Sequence, residues 1–283
     1  MSERAMAVVG AGTMGTGIAY VFAVAGYATT VVEPDAGQVQ RLAKTVGSAV
    51  AGAVARGKLD PVEAELVQGR IRCVPEISDL AVELSLVIES VPERAALKSA
   101  VLAAIEAREP AVIGSNTSSI SIDELAGALR RPDRFLGMHF FNPVWSLALV
   151  ELIVSKSTGA ETLAAARSFV DDIGKQSIVV NNVPGFATSR LDLIAALEAM
   201  RMLEDGVASA VDIDRAAELA YRHPVGPLRL SDIVGLDVRL DIARQLEHTY
   251  GERYRPPQIL IDMVAAGRLG QKSGRGFHEW PLS

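Results

Sequence analysis

Excess positive charge is missing from this chain: 28 lysines and arginines stand against 34 aspartates and glutamates, a net charge of −6 at pH 7. Without a basic stripe there is no footprint for a phosphodiester backbone or an anionic bilayer, so neither nucleic acid nor membrane is an expected partner. Cysteine is nearly absent. Cys73 stands alone, which excludes an intrachain disulfide, leaves too few thiolates for a zinc cluster, gives no reason to expect a metal, and fits a reducing, cytoplasmic setting. Internal repeats, low-complexity tracts and charge runs are also lacking, which removes solenoids and disordered tails from consideration. What remains is a chain of 283 residues, 49% hydrophobic, long enough for two domains.

Charge is wholly absent from one long run, Ala5 to Val32, which follows Glu3 and Arg4 like the apolar part of a signal peptide or a membrane span. Five glycines interrupt it, and they carry a better explanation. "AMAVV", "GAGTMG" and "IAYVFAVAG" read as strand, tight turn and helix, the opening of a nucleotide-binding fold. Gly10 permits the turn, Gly12 lets the backbone approach a pyrophosphate, and Gly15 lets the helix pack on the strand, while the N–H groups at Thr13 and Met14 face the phosphates. The next β-rich run, "YATTVVE", ends in Glu33, 18 positions after Gly15, where a carboxylate takes the adenosine ribose hydroxyls. A carboxylate there repels a 2′-phosphate, so NAD is the expected cofactor.

Strand and helix patterns then alternate. "GQVQRLAKTVGSAVAGAVARGKL" is helical and ends in Arg56 and Lys58; "RIRCV", "LSLVIESV", "PAVIGS", "RFLGMHFF", "LVELIVS" and "SIVVNN" read as strands, with helices at Leu97–Ala107 and about 161–173. This predicts an α/β class, a Rossmann-like doubly wound sheet over residues 1–183. Pro184 and Gly185 make a linker, and residues 184–283 read as a smaller all-helical domain. There a Ser cap opens "SAVDIDRAAELAYRHP", and "SDIVGLDVRLDIARQLEHTYG" reads as one long helix. So small an apolar helical domain is expected to bury a face in a homodimer.

One further stretch bears chemistry. In "HFFNPVWSLALVE" His139 precedes Glu151 by 12 residues within an otherwise apolar run, as either a structural ion pair or an acid-base dyad. With "GAGTMGTGIA", "SNTSSI", "VPGF", "HPVGPL" and "GRGF" set beside it, the chain resembles the L-3-hydroxyacyl-CoA dehydrogenase family over essentially its whole length, its short bacterial 3-hydroxybutyryl-CoA dehydrogenases in particular. The resemblance implies an acyl-CoA thioester substrate, oxidised reversibly from 3-hydroxyacyl to 3-oxoacyl. It makes His139 the general base and Glu151 the carboxylate that orients the imidazole. It also puts Ser118 and Asn142 at the substrate, Asn116 by the cofactor, and Glu93 and Lys98 on the nicotinamide side. Without it, the last two read as exposed charges in the first turns of a helix. Arg56 and Lys58 would face CoA phosphates, although cations also suit any helix C-terminus. His223, His248 and His278 read as structural or solvent-exposed.

The chain departs from the family in two places. After "VPGF" the family carries Asn-Arg, whose asparagine bonds to the reacting site; here Ser189 precedes Arg190, and a hydroxyl offers one donor where an amide offers two. In the stretch leading to the glutamate, where the family usually carries Pro, Met and Lys, this chain has Trp145 and Ala148. Relatives acting on free hydroxy acids tend to follow the histidine with proline, so Phe140 and Phe141 favour a thioester. Alternatives are a carrier-bound acyl group, a free hydroxy acid, or a cofactor-binding protein with little turnover.

Overall fold

The computed structural model describes residues 4–281. They fall into two compact units, the first ending at Val183 and the second beginning at Pro184.

In the first unit, β1 (Ala5–Val9), β2 (Ala28–Val32), β3 (Ile71–Val74), β4 (Leu86–Glu89), β5 (Val112–Ser115), β6 (Phe135–Phe140), β7 (Leu149–Val154) and β8 (Gln176–Asn181) form one sheet in the order β3-β2-β1-β4-β5-β6-β7-β8. The first six strands are parallel to their neighbours; β7 runs antiparallel to β6, and β8 parallel to β7. The central strands are nearly continuous apolar runs because helices cover both faces of a parallel sheet. β1 and β4 carry the core residues Met6, Val8, Leu86 and Ile88, each fully buried. The uncharged opening is thereby accounted for. Helix α1 (Thr13–Val24) buries nine consecutive residues, Gly15 to Ala23, and so has no face for a charge. α2 (Ala36–Ala55) is amphipathic instead and is capped by Asp35, whose side chain accepts from Gln38 N at 2.6 Å.

α4 (Ala95–Glu106) and α6 (Ala160–Asp172) lie close to their expected limits. Two short helices were not expected: α3 (Pro61–Gly69), opened by an Asp60 cap with proline at the first position, and α5 (Ile122–Ala126), capped by Ser121.

The second unit contains α7 (Thr188–Glu204), α8 (Ala210–Tyr221), α9 (Pro227–Val234), α10 (Leu236–Tyr250) and α11 (Gln258–Ala265) around a core that includes Leu193, Leu197, Met200, Leu228, Leu236 and Leu260. The Ser209 cap forms, accepting from Asp212 N at 3.2 Å. The long helix expected from Ser231 onward is in fact two, α9 and α10. Gly235 sits between them at φ +105°, a left-handed backbone conformation that breaks the helix and that glycine adopts without a steric penalty. No helix among the described residues is long and apolar enough to cross a membrane.

Candidate active site

Because the strand order reverses between β1 and β4, the chain leaves those two strands in opposite directions and opens a crevice at their carboxyl ends. That crevice is a cleft of about 1130 Å³, whose walls include Gly10, Gly12, Thr13, Met14, Glu33, Glu93, Asn116, Ser118, His139 and Asn142. Residues from strand ends far apart in sequence therefore share one surface.

The glycine turn supplies the first wall. Gly10 has φ +102°, and a Cβ there would lie 2.8 Å from the Ser90 carbonyl oxygen. A Cβ on Gly15 would lie 1.9 Å from the Gly10 carbonyl, so this glycine packs beneath the turn and does not line the cleft. A Cβ on Gly12 would meet nothing within 4 Å. Gly12 is also the N-cap of α1 and provides no side-chain cap, so the helix offers its first N–H groups beside open space. An anionic pyrophosphate fits this cradle. Glu33 stands just past β2 with Oε2 accepting from Ala11 N at 3.0 Å and Oε1 from Asp35 N at 3.0 Å. Each carboxylate oxygen keeps a second lone pair, which suits a pair of ribose hydroxyls. A dinucleotide whose ribose met Glu33 would extend its other half toward the ends of β4, β5 and β6.

Toward the ends of β5 and β6, the fold brings His139 and Glu151 together. They are directly opposed partners on the antiparallel pair β6–β7, so their side chains share a face of the sheet. His139 Nδ1 lies 2.8 Å from Glu151 Oε2; Glu151 is fully buried and the histidine side chain only 10% exposed. The carboxylate accepts, so Nδ1 donates, and in the neutral ring that leaves the lone pair on Nε2. The Phe141 ring lies 4.4 Å from the imidazole, centroid to centroid, and lines the cleft beside it.

The polar loop after β5 is held to this wall from two sides. Asn116 Oδ1 accepts from Phe140 N at 2.9 Å, tying the loop to the end of β6. Glu93 Oε1 accepts from Thr117 Oγ1 at 2.5 Å and from the backbone N–H of Ser118 and Ser119 at 3.0 Å each, which fixes Ser118 at the cleft surface. Burial would raise the Glu93 pKa, but hydrogen bonds from Thr117, the Lys98 ammonium, and further bonds from Ser119 and Ser118 outweigh it and hold the carboxyl below its usual range.

Three of the expected residues, Lys98, Arg56 and Lys58, do not line this cleft. Lys98 is neither exposed nor on the cleft wall: it is 1% exposed and lies under it, with Nζ 2.7 Å from Glu89 Oε1, 3.3 Å from Glu93 Oε2 and 3.1 Å from the Val91 carbonyl. Arg56 and Lys58 are exposed just beyond the C-terminus of α2 and are not among the residues lining the cleft. Ser189 belongs to the second unit, half-buried in the first turn of α7. One further acid, outside the expected set, underlies this wall. Glu89 ends β4 fully buried, and its oxygens accept from Val91 N at 2.7 Å, Lys98 Nζ, and Ser115 Oγ at 2.6 Å. An acid closing the apolar run "LVIE" at the carboxyl edge of a strand was the available signal.

A doubly wound sheet with a glycine turn, a carboxylate at the end of β2 and a histidine-carboxylate pair around one cleft is the arrangement of a nicotinamide-dependent dehydrogenase. Residues 5–183 match the NAD binding domain of 3-hydroxyacyl-CoA dehydrogenase, and residues 185–280 match its C-terminal domain. The chain belongs to the 3-hydroxyacyl-CoA dehydrogenase family, and NAD is the cofactor of that fold. It is 41% identical over 278 residues to a 3-hydroxybutyryl-CoA dehydrogenase of Mycobacterium tuberculosis, covering 96% of this chain and 97% of the other. A relative of the same name from Bradyrhizobium diazoefficiens is 37% identical, covering 98% and 95%. The solved structure of an (S)-3-hydroxybutyryl-CoA dehydrogenase from Ralstonia eutropha superposes with a TM-score of 0.93 at 39% identity, over 99% of this chain and 100% of that one.

Proposed function

We propose that this protein oxidises an L-3-hydroxyacyl-CoA to the 3-oxoacyl-CoA, reversibly, with 3-hydroxybutyryl-CoA as the substrate class. NAD, when bound, accepts the C3 hydrogen as hydride. His139 takes the hydroxyl proton at Nε2, and Glu151, already bonded to Nδ1, stabilises the imidazolium that results. In the reverse direction the same imidazolium returns the proton to the carbonyl oxygen. Ser118 and Asn142 contact the substrate, and Asn116 holds the cofactor side of the wall against β6. Ser189 stands where the family has its asparagine and supplies a hydroxyl in that role. Trp145 and Ala148 give the acyl side a shape of its own.

The observation that carries this reading is the opposed His139–Glu151 pair on the wall of the cleft that the glycine turn opens. We further propose that the helical unit serves substrate binding and dimerisation, supported by the exposed Leu191, Val207, Val211, Leu219 and Tyr221 on its surface. A cytoplasmic location is supported by the single thiol. Arg56 and Lys58 are retained only as exposed cations available to CoA phosphates.

The test is NADH consumption with acetoacetyl-CoA, the free acid and the N-acetylcysteamine thioester, with Ser189→Asn in parallel. Turnover confined to the CoA thioester is the expected result. Comparable rates on all three would remove CoA from the reading. Silence in wild type together with activity in Ser189→Asn would make the protein a cofactor-binding reuse of the fold.

A further inference from the structure

The proposed position of the nicotinamide has an electrostatic consequence. If Glu33 holds the adenosine ribose, the redox-active half of the dinucleotide faces the ends of β4, β5 and β6, and beneath those ends lies a charged cluster. Lys98 Nζ sits between Glu89 and Glu93, at 2.7 and 3.3 Å. Every bond to the Glu89 oxygens described above comes from a donor, the pattern of an ionised carboxylate. Glu93, whose Oε1 is held by Thr117, Ser118 and Ser119, is likewise an acceptor. Two carboxylates against one ammonium leave one negative charge, and two of the three groups are essentially excluded from water. Arg94, which also lines the cleft, is exposed, so water and salt screen its charge far more than that of the buried groups.

The oxidised nicotinamide ring is a cation and the reduced ring is neutral. A buried negative charge under one half of the cleft therefore interacts differently with the two redox states, and a purely mechanical support would not. We infer that Glu89, through the Glu89–Lys98–Glu93 cluster, makes this cleft favour NAD⁺ over NADH more than an uncharged floor would. Glu89 does this without touching either the cofactor or the substrate. During oxidation of a hydroxyacyl substrate, the reduced cofactor then leaves a site tuned to its oxidised form. The inference rests on the cofactor orientation proposed above.

The test is the pair of dissociation constants for the full chain, NAD⁺ by calorimetry and NADH by its fluorescence, in wild type, Glu89→Gln and Glu89→Asp. Glu89→Gln should lower NAD⁺ affinity about ten-fold relative to NADH, the size of a single buried charge acting at moderate effective dielectric. Glu89→Asp, which keeps the charge, should preserve the ratio even where it weakens both ligands. Should Glu89→Gln not fold, Glu93→Gln must lower the ratio in the same direction, by less because its side chain is 35% exposed. Equal weakening of NAD⁺ and NADH in the glutamine variants would overturn the inference and leave the cluster a scaffold. Wild-type protein that binds neither dinucleotide would instead bring down the cofactor reading on which it stands.

Discussion

Among the described residues are two histidine-carboxylate pairs of nearly identical geometry, one in each unit. His139 Nδ1 and Glu151 lie 2.8 Å apart, with side chains 10% and 0% exposed; His278 Nε2 and Asp214 lie 2.7 Å apart, 11% and 6% exposed. Distance and burial do not distinguish them, but their surroundings do. Asp214 also accepts from Leu228 N at 2.8 Å and Arg229 N at 3.0 Å, the first turn of α9. Beside it Asp232 accepts from Phe277 N, His278 N and Trp280 Nε1 at 2.8–2.9 Å. Both aspartates thus fasten the C-terminal segment to the helical unit. The motif glycines follow from this: a Cβ on Gly226 would lie 2.2 Å from Asp214 Cβ, and one on Gly276 would lie 1.9 Å from Asp232 Oδ1. The first pair sits on the wall of a cleft and the second inside a latch. A buried imidazole bonded to a carboxylate is a device whose use is set by what its other edge faces.

The largest break in that comparison is His139→Gln. It should cut kcat by about 10²–10⁴-fold, the range for loss of a positioned general base, while thermal stability and NADH affinity stay near wild type. If activity, stability and cofactor affinity fell together, the first pair would be another latch. Asp214→Asn is the opposite case. It should cost about 3 kcal/mol of unfolding free energy in a denaturant titration, because a buried acceptor of charge-assisted bonds is lost. The kcat of the protein that remains folded should not change, and a specific loss of kcat would give the second pair a part in the chemistry.

How much of this was legible in sequence follows the same division. The glycine turn, Glu33 and the His139–Glu151 spacing could be read because each depends on local backbone geometry or strand alternation, which short segments encode. α3 could have been read as well, since Asp60-Pro61 is a cap followed by proline at the first helical position. The α9–α10 break was hidden because an isolated glycine in a helical pattern usually costs only about 1 kcal/mol and is tolerated, whereas its φ is set by the packed chain. Glu89, Lys98, Asp214 and Asp232 were not legible as buried groups. Charged residues are buried only when partners are supplied, and here those partners come from other strands and loops. The same limit explains Lys98, whose position after Arg94 suggested an exposed helix charge but whose ammonium is enclosed by two carboxylates.

Glu33→Ala sharpens the contrast between carboxylates that face the cleft and those consumed by the chain. Glu33 gives one bond from each oxygen to backbone N–H groups and retains capacity toward a ligand. Its removal should weaken NAD by about ten-fold and NADP much less, measured as dissociation constants, because a lost ribose acceptor is offset for NADP by relief of repulsion with its 2′-phosphate. Equal losses for the two would mean that Glu33 only braces the Ala11 turn.

The smallest effect belongs to Glu93, which does both jobs: it lines the cleft and also holds the Ser118 loop. Its folded-state pKa lies below the ordinary carboxylate value, so the folded protein releases this proton more readily than the unfolded chain does. The resulting stabilisation is fully present above the unfolded carboxyl's titration, and it is lost as pH falls through the lowered folded value. Wild type should therefore be more stable than Glu93→Gln at neutral pH, with the gap closing below about pH 4.5 and gone once Glu93 is protonated in both states. The gap will be modest, since a side chain 35% exposed is partly screened by water. Paired denaturation series at neutral and acid pH measure it. A gap that stays constant with pH would mean that amide geometry, and not charge, makes the difference, and Glu93 would then join Asp214 as a structural clasp instead of standing between the two classes.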